Sequence, residues 1–191
     1  MTARLEPEYF ERLYAERSDP WGFATSAYER GKYERTVAAL GPARFGRGLE
    51  VGCSIGVLTA MLADRCDDLL AVDCSALAVE RARRRLAGRP GVRVERRTLP
   101  EEAPEGPFDL IVCSEVLYYW SRDLLVEALG ALRAALAAGG SLLAVHWRPR
   151  TRTYPLQGDE VHAILARELG SLRRAVSLVE PLYRLDRYDV P

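Results

Sequence analysis

The chain has 191 residues, of which 48% are hydrophobic and 28% are charged. This length and balance predict one globular domain and exclude collagen-like, disordered and coiled-coil proteins. Lysine and arginine together number 27, as do aspartate and glutamate, so the formal net charge is zero. Since a neutral chain has no overall field that attracts polyanions, we expect neither nucleic acid nor a membrane surface as a partner.

The cysteines indicate a reducing environment and no metal site. The four cysteines form no Cys-x-x-Cys pair and have no histidine close in sequence, so we expect no metal ion. Cys53, Cys74 and Cys113 lie in or beside apolar runs, where free cysteine behaves as a small buried hydrophobe. Residues 1–11 carry charges where an export signal needs an apolar core, and charges and paired glycines interrupt the apolar stretch 124–147. We therefore expect a cytoplasmic protein.

Two polar, amphipathic helices are predicted first, over residues 6–18 and 26–40, with the helix-breaking sequence Asp19-Pro-Trp-Gly22 between them. From residue 48 onward, short apolar runs alternate with helical patterns, which is typical of a parallel sheet covered by helices. The predicted strands of this part are 48–51, 69–73, 92–96, 109–114 and 141–146. The predicted helices between them are 55–65, 75–88 and 121–137.

The last part of the chain predicts a loop over 148–158, a helix over 159–169 and two strands over 172–179 and 182–190. These strands are joined at Pro181, and so short a connection requires them to be antiparallel neighbours. The whole pattern predicts an α/β fold with five parallel strands and a closing hairpin.

We expect one domain over residues 1–191. In this prediction residues 1–40 form a helical cap, and residues 46–191 form the core that contains the sheet.

The most informative segment is 48–59, which reads Gly-Leu-Glu-Val-Gly-Cys-Ser-Ile-Gly-Val-Leu-Thr. It predicts a strand, a tight turn and an apolar helix. Glycines at 52 and 56 let a ligand approach the backbone, and the helix N-terminus offers free N–H donors. A dinucleotide fits this turn poorly, because the G-x-G-x-x-G pattern begun at Gly52 meets Ser54 and Val57 where it requires glycine.

Two other interpretations of the turn stay open on the residues alone. Residues 52–56 match the nucleophile-elbow pattern G-x-S-x-G, and chain order permits a triad of Ser54, Asp123 and His146. That motif normally follows several strands, whereas only helical sequence precedes it here. The other ligand is S-adenosylmethionine (SAM), which requires close backbone approach beside an acidic strand residue, here Glu50.

Asp73 ends the second predicted strand and lies 21 positions after Gly52. An acidic side chain at about this spacing accepts hydrogen bonds from ribose hydroxyls. The alternative is that Asp73 caps the helix starting at Ser75, a role that Ser75 itself can fill. The spacing and the strand-end position favour the ribose role.

These elements resemble the class I SAM-dependent methyltransferases. The matching segments are Glu50-Val-Gly-Cys-Ser-Ile-Gly56, Ala-Val-Asp73 and Phe108-Asp-Leu-Ile-Val-Cys-Ser-Glu-Val-Leu-Tyr-Tyr-Trp120. The resemblance covers about residues 19–190. It implies a Rossmann-like, seven-stranded and mostly parallel sheet of order 3-2-1-4-5-7-6, whose last strand is antiparallel.

Within this class the chain is similar to the nodulation-protein-S-like (NodS-like) group, whose named members N-methylate an amino sugar at the end of a chito-oligosaccharide. The segments that carry this resemblance are Asp19-Pro-Trp21, Tyr28-Glu-Arg30, the Glu-Val-Gly-Cys core and Ser114-Glu-Val-Leu-Tyr-Tyr119. The resemblance implies SAM as methyl donor and S-adenosylhomocysteine (SAH) as product. The expected acceptor is a small molecule or oligosaccharide, an amino sugar above all, and the expected assembly is a monomer or homodimer. The alternatives are an O-methyltransferase of another metabolite and a non-catalytic SAM-binding module.

The resemblance also implies which residues hold the cofactor. The turn provides backbone contacts to the methionine part, Asp73 binds the ribose, and Arg30 faces the cofactor carboxylate. Thr98 stands where many relatives have an aspartate against the adenine amino group, and its hydroxyl can accept the same bond. The predicted set is Trp21, Arg30, Glu50, Gly52, Cys53, Ser54, Gly56, Asp73, Cys74, Thr98, Leu99, Ser114 and Glu115.

Methylation of an amine requires a group that removes a proton before attack. His146 ends the fifth predicted strand and Glu115 follows the fourth, at the edge where open α/β sheets bind ligands. Packing in the core is the alternative for His146. Tyr119 has the aromatic character to face a sulfonium cation, with core packing again the alternative. The predicted catalytic residues are His146, Glu115 and Tyr119.

The acceptor is predicted to contact aromatic and charged residues near the ends of the fourth and fifth strands. For Arg148 the alternative is a solvated loop position, and for His162 a solvated position beside Asp159. The predicted set is Tyr118, Trp147, Arg148, Tyr154 and His162.

Overall fold

In the computed structural model, which describes residues 3–191, helices and strands alternate along most of the chain. Residues 1 and 2, which belong to the predicted cap, lie outside the described residues. The helices are α1 (Pro7–Glu16), α2 (Ala27–Ala38), α3 (Val57–Leu62), α4 (Ala76–Arg85), α5 (Arg122–Ala134) and α6 (Gly158–Glu168). The strands are β1 (Phe45–Val51), β2 (Cys66–Asp73), β3 (Val92–Arg96), β4 (Phe108–Ser114), β5 (Leu136–Trp147), β6 (Arg173–Val179) and β7 (Tyr183–Asp189).

Within the described residues the strands form one seven-stranded sheet of order β3-β2-β1-β4-β5-β7-β6. The pairs β1–β2, β2–β3 and β4–β5 are parallel, whereas β7 runs antiparallel to both β5 and β6. The predicted fold class is therefore confirmed, including the strand order implied by the resemblance and the closing hairpin.

The chain divides into two compact units, Glu6–Thr98 and the remaining residues. In the first unit α4 packs its apolar face on the sheet. The Ser75 hydroxyl caps this helix by accepting the Ala78 N–H at 3.2 Å, so Ser75 fills the capping role considered for Asp73. The core cluster consists of Cys53, Ala71, Val79, Ala82, Leu86 and Val94.

In the second unit β4 and β5 are covered on both faces, as their continuous apolar runs predict. Residues 110–113 and 142–145 have no exposed surface. Leucines of α5 and apolar residues of α6 supply buried side chains on this unit. Because both faces of β4 and β5 are covered, the polar residues of this part of the sheet that a ligand can reach are those that follow the two strands, at the strand ends.

Several predicted element bounds differ from the structure; β1, for example, begins at Phe45 rather than 48. Two of the differences have identifiable reasons. β2 begins at Cys66 rather than 69, because Asp67 and Asp68 are polar residues within an extended strand. β5 begins at Leu136 rather than 141, because the glycine pair continues the strand instead of ending it. A Cβ on Gly140 would lie 2.9 Å from the carbonyl oxygen of Phe108, so the close approach of the strands requires glycine there.

No helix within residues 3–191 is long and apolar enough to cross a membrane. All four cysteines are free thiols. In the same range, no cluster of three or more histidine, cysteine, aspartate or glutamate side chains is arranged to hold a metal ion.

A substitution at Gly56 tests how tightly the turn after β1 packs on α4. Its φ is 78°, and an added Cβ would lie 3.1 Å from the Cβ of Ala82. We expect Gly56→Ala to lower the free energy of unfolding by about 1–3 kcal/mol, through left-handed strain and overpacking.

The matched control for this substitution is Gly130→Ala in α5, where nothing lies within 4 Å of an added Cβ. This control should raise stability by about 0.5–1 kcal/mol, because alanine favours the helix. Urea unfolding measures both changes. A Gly56→Ala variant as stable as the wild type would contradict the packing.

Candidate active site

The turn after β1 adopts three left-handed residues in a span of five. Gly52, Ser54 and Gly56 have φ values of 76°, 53° and 78°. The N–H groups of Gly52 and Cys53 both donate to the Val72 carbonyl, at 2.8 and 3.0 Å. The turn thus bends sharply away from β1 and enters α3 with its backbone held against β2.

Asp73, at the end of β2, fixes this turn. Its Oδ2 accepts the Ser54 N–H at 2.8 Å, and its Oδ1 accepts the Ser75 N–H at 2.9 Å. Burial raises the pKa of Asp73, while these two bonds oppose the rise. A backbone hydrogen bond from Cys74 acts in the same sense. A carboxylate has about four acceptor positions, so these three bonds leave capacity for a further donor such as a hydroxyl.

Two residues of α1, which sequence reasoning missed, contact the turn after β1 and the start of α4. The Tyr14 hydroxyl donates to Ser54 Oγ at 2.5 Å, and Glu11 Oε2 accepts the Ser75 hydroxyl at 2.6 Å. Burial, reinforced by the charge of Asp73, raises the pKa of Tyr14. The available sequence signal was their spacing of three positions, which places Glu11 and Tyr14 on one helix face.

The Glu50 side chain on β1 is buried beside Thr59, and burial raises its pKa to about 8. The Thr59 hydroxyl opposes this rise, and the charge of Asp73 adds to it. Glu50 is therefore mostly protonated at neutral pH. A protonated acid is a hydrogen-bond donor, which is not the acceptor role that an acidic residue usually has.

The other predicted cofactor residues of the first unit differ in how far they are exposed to solvent. The Trp21 ring lies edge to face with Tyr14, with ring centroids 5.6 Å apart, and stacks on Phe23. Cys53 is buried, and Cys74 and Thr98 are half-buried. Arg30 is exposed on α2.

Glu115 follows β4 with φ = 56°, a left-handed conformation that is rare for glutamate. Its N–H donates to the Val145 carbonyl at 2.8 Å. Its Oε2 accepts the Trp147 N–H at 2.9 Å and the Tyr118 hydroxyl. The half-buried carboxylate is therefore held by two elements, and strained backbone of this kind is concentrated at functional sites.

Three tyrosines form an aromatic cluster next to Glu115. The Tyr154 ring stacks on Tyr118 with centroids 4.9 Å apart, and it meets Tyr119 edge to face at 4.8 Å. Burial raises the pKa of both Tyr118 and Tyr119. The predicted acceptor residues Tyr118 and Tyr154 and the predicted catalytic residue Tyr119 are thus brought together. Ser114, before Glu115, has a buried hydroxyl without a hydrogen-bond partner among residues 3–191.

The structure gives His146 and His162 different surroundings from those predicted. Both rings are fully buried. His146 Nε2 accepts the Leu117 N–H at 3.2 Å, and its Nδ1 lies 3.2 Å from His162 Nε2. His162 Nδ1 lies 2.6 Å from Asp186 Oδ2, so the solvated position considered for His162 is wrong.

The same contacts correct the role predicted for His146. A base that contacts the acceptor needs an accessible nitrogen lone pair, and the lone pair of His146 is engaged by a backbone N–H. His146 therefore does not fit as a direct base in this arrangement. The contacts of His146 also disfavour the triad with Ser54 and Asp123, because both of its ring nitrogens are engaged by Leu117 and His162.

The side chain of Arg148 also makes its hydrogen bonds within the protein. Its guanidinium binds both carboxylate oxygens of Asp159 and the Glu180 carbonyl, the latter at 2.8 Å. This ion pair raises the pKa of Arg148 and lowers that of Asp159. The predicted contact of Arg148 with an acceptor is therefore not favoured. Leu99 is buried, and its carbonyl accepts a hydrogen bond from Arg4.

Comparison with known proteins adds to this geometry. The family described as Nodulation protein S (NodS) matches residues 8–149. Nodulation protein S of Rhizobium tropici is 33% identical over 127 residues, covering 65% of this chain and 53% of its own. The protein of the same name from Bradyrhizobium diazoefficiens is 37% identical over 116 residues, covering 60% and 54%. The chain thus spans about half the length of the curated relatives it matches.

Two solved structures cover more of both chains. A putative methyltransferase from Pseudomonas syringae is 44% identical over 86% of this chain and 99% of its own, with a TM-score of 0.75. The N-methyltransferase NodS from Bradyrhizobium japonicum WM9, in complex with SAH, is 26% identical, covers 96% of this chain and 97% of its own, and has a TM-score of 0.86.

The buried Glu50 carboxyl makes stability depend on pH. Its pKa is about 8 in the folded chain and near the ordinary 4.5 when unfolded. The folded state therefore keeps a proton that the unfolded state releases, so this contribution is full below pH 4.5 and is lost as the pH rises to about 8. Relative to Glu50→Gln, the wild type should lose up to about 1.4 kcal/mol of stability per pH unit in this window.

Urea unfolding at several pH values between about 5 and 8 measures this difference. The control is Glu34→Gln, which changes an exposed carboxyl on α2 and should follow the wild-type profile. Parallel pH profiles for the wild type and Glu50→Gln would show that Glu50 is ionised in the folded chain.

Proposed function

Because the chain belongs to the Nodulation protein S family of SAM-dependent methyltransferases, we propose that it transfers a methyl group from SAM to the amino group of a sugar acceptor. This membership confirms the resemblance inferred from the sequence. The observation that carries the cofactor part of the proposal is the pair of hydrogen bonds by which Asp73 holds the glycine turn.

The residues of the turn fit the chemistry of SAM. The left-handed Gly52 leaves backbone open to close approach, because it has no side chain to obstruct a ligand. Asp73 retains acceptor capacity for a ribose hydroxyl. Gly52, Cys53, Ser54 and Asp73 would hold the methionine and ribose parts, with Trp21, Arg30 and Thr98 as further contacts implied by the resemblance.

When bound, SAM supplies a methyl group that is already activated on a sulfonium, so the chain need not provide a nucleophile. The residues must instead orient the acceptor and exclude water. An ammonium has no lone pair, so an amino acceptor must lose a proton before it attacks. We propose that Glu115 receives this proton. Its carboxylate is oriented by the Trp147 N–H and the Tyr118 hydroxyl.

The acceptor is proposed to be an amino sugar because of the groups near Glu115. A carboxylate attracts the ammonium form of the acceptor by charge. The half-buried Trp147 and Tyr154 offer aromatic surface on which the apolar face of a sugar ring can pack. The SAH-bound relative from Bradyrhizobium japonicum WM9 is itself an N-methyltransferase, which favours nitrogen over oxygen as the methylated atom.

We further propose that residues 1–191 act as one catalytic domain, as a monomer or homodimer in the cytoplasm. Free cysteines suit a reducing compartment, and the balance of charge disfavours nucleic acid as a partner.

The role of Asp73 can be tested by SAH binding. Asp73→Ala removes the acceptor for the ribose hydroxyls and for the Ser54 N–H, so SAH affinity should fall by about 1–3 kcal/mol in calorimetric titration. Asp67→Ala is the control, because Asp67 lies on the same strand but is exposed and paired with Arg44. Unchanged affinity in Asp73→Ala would refute the ribose assignment.

The acceptor and the proton-accepting group can be tested by turnover. SAH should form with glucosamine or an oligomer that carries a free amine, and not with the N-acetylated equivalent, which lacks a basic nitrogen. Glu115→Gln should lower kcat by about 10²–10⁴-fold while keeping SAH affinity, because it removes the proton acceptor.

Asp123→Asn on the first turn of α5 is the control for Glu115→Gln, and it should retain turnover. Equal turnover of the free and acetylated sugars would exclude the amine as the acceptor. Turnover with hydroxylated metabolites alone would indicate O-methylation, and SAH binding without turnover on any acceptor would indicate a non-catalytic module.

A further inference from the structure

A continuous chain of buried polar groups runs from β7 to the 3-10 turn Leu117–Tyr119. Asp186 Oδ2 lies 2.6 Å from His162 Nδ1, and His162 Nε2 lies 3.2 Å from His146 Nδ1. His146 Nε2 then accepts the Leu117 N–H at 3.2 Å. All three side chains have no exposed surface. Burying unpaired polar groups is costly, so each N–H proton in this series of hydrogen bonds needs an acceptor.

The Leu117 N–H fixes the direction of every hydrogen bond in the chain. A backbone N–H can only donate, so His146 Nε2 must present its lone pair, and a neutral ring then carries its proton on Nδ1. That proton points at His162 Nε2, which must therefore accept it. His162 in turn carries its proton on Nδ1 and donates to Asp186. Each imidazole is thus assigned the Nδ1–H tautomer.

The charges around His162 support this assignment. Burial lowers the pKa of His162, although Asp186 on β7 and Asp159 on α6 act in the opposite sense. The Arg184 Nε–H donates to Asp186 Oδ2 at 3.0 Å. Burial raises the pKa of Asp186, but hydrogen bonding, with His162 as the main donor, outweighs burial and holds the pKa below its ordinary value. A neutral histidine facing an ionised aspartate is the state that the tautomer assignment requires.

The Leu117 end of this series of hydrogen bonds lies next to the residues that hold the Glu115 carboxylate. The first N–H of a helical turn has no partner within the turn, and His146 Nε2 supplies one for Leu117. The next residue, Tyr118, donates its hydroxyl to Glu115 and packs its ring edge to face with His146, with centroids 5.2 Å apart. Reversing the His146 tautomer would set an N–H against the Leu117 N–H and release this end of the turn.

We infer that His162 and Asp186 are positioning residues, which hold His146 in the tautomer that anchors the Leu117–Tyr119 turn and thereby orients Tyr118 and Glu115. The inference rests on the proposed function only in its kinetic consequence. The tautomers and the Leu117 hydrogen bond are properties of the folded chain and can be measured without any acceptor.

The tautomers are tested directly by nitrogen NMR of the full chain labelled with ¹⁵N-histidine at neutral pH. The chain has only two histidines, so assignment needs only one variant of each. Both rings should be protonated on Nδ1 and unprotonated on Nε2. A proton on His146 Nε2, or a doubly protonated ring, would overturn the inference.

A matched pair of variants tests the link to Leu117. In His146→Gln the longer side chain can place an amide oxygen near the former Nε2 and still accept the Leu117 N–H. In His146→Asn the amide reaches only the former Nδ1 position. Hydrogen exchange at Leu117 should be about tenfold faster in the asparagine variant than in the glutamine variant, which is the value of one hydrogen bond. Equal exchange in the two variants would overturn the inference.

Kinetics complete the test. With a free-amine sugar as acceptor, kcat should be lower in His146→Asn than in His146→Gln by about tenfold, with equal SAH affinity. A residue that only fills space would give equal losses in both variants. If SAH binds but no acceptor turns over, the proposed function fails while NMR and exchange still decide the inference. If neither variant folds, the wild-type tautomers decide it alone.

Discussion

The conformation of the turn after β1 depends on one carboxylate. Asp73 accepts one N–H from Ser54, inside the turn, and one from Ser75, at the start of α4. A left-handed serine such as Ser54 is costly by itself, and this bond offsets the cost. The same two bonds couple the turn after β1 to the helix after β2. A carboxylate has about four acceptor positions, so the group that fixes the turn is also the group proposed to accept a ribose hydroxyl.

A similar arrangement occurs in the second unit. Glu115 has left-handed backbone, and its side chain is held by donors from two neighbouring elements. Behind it, hydrogen bonds join the Leu117 N–H, the ring nitrogens of His146 and His162, and Asp186 Oδ2. In both units a strained residue follows a parallel strand and is held by groups distant in sequence. This is where open α/β sheets bind ligands, and it is where the proposed cofactor contact and the proposed proton acceptor lie.

Local patterns in the sequence were enough to predict the architecture. Alternating apolar runs and helical patterns, the glycine spacing after β1 and the short connection at Pro181 each depend on neighbouring residues, so the α/β class and the closing hairpin could be predicted. The strand order was implied by the resemblance to class I methyltransferases. The position of Asp73 at a strand end was equally local. The bounds of β2 and β5 escaped, because polar residues and a glycine pair inside a strand resemble loop sequence.

The contacts that complete the candidate site could not be predicted in this way. Tyr14 meets Ser54 across 40 residues, and His162 meets Asp186 across 24. Sequence placed His162 near an exposed aspartate of its own helix, whereas tertiary packing turns the ring inward to a buried one. A histidine on an apolar strand gives no indication of which nitrogen is engaged. Both His146 and Glu115 were predicted as catalytic, and the preference for Glu115 as the proposed base rests on the hydrogen-bond partners of the two side chains.

The central claim is that Asp73 binds the ribose hydroxyls of the methyl donor. The most direct measurement compares the affinity of SAH with that of its 2′-deoxy analogue, in the wild type and in Asp73→Ala. Removing the hydroxyl should weaken binding to the wild type by about tenfold and have no further effect in the variant, because the partner is already absent. Equal losses in both proteins would contradict the account.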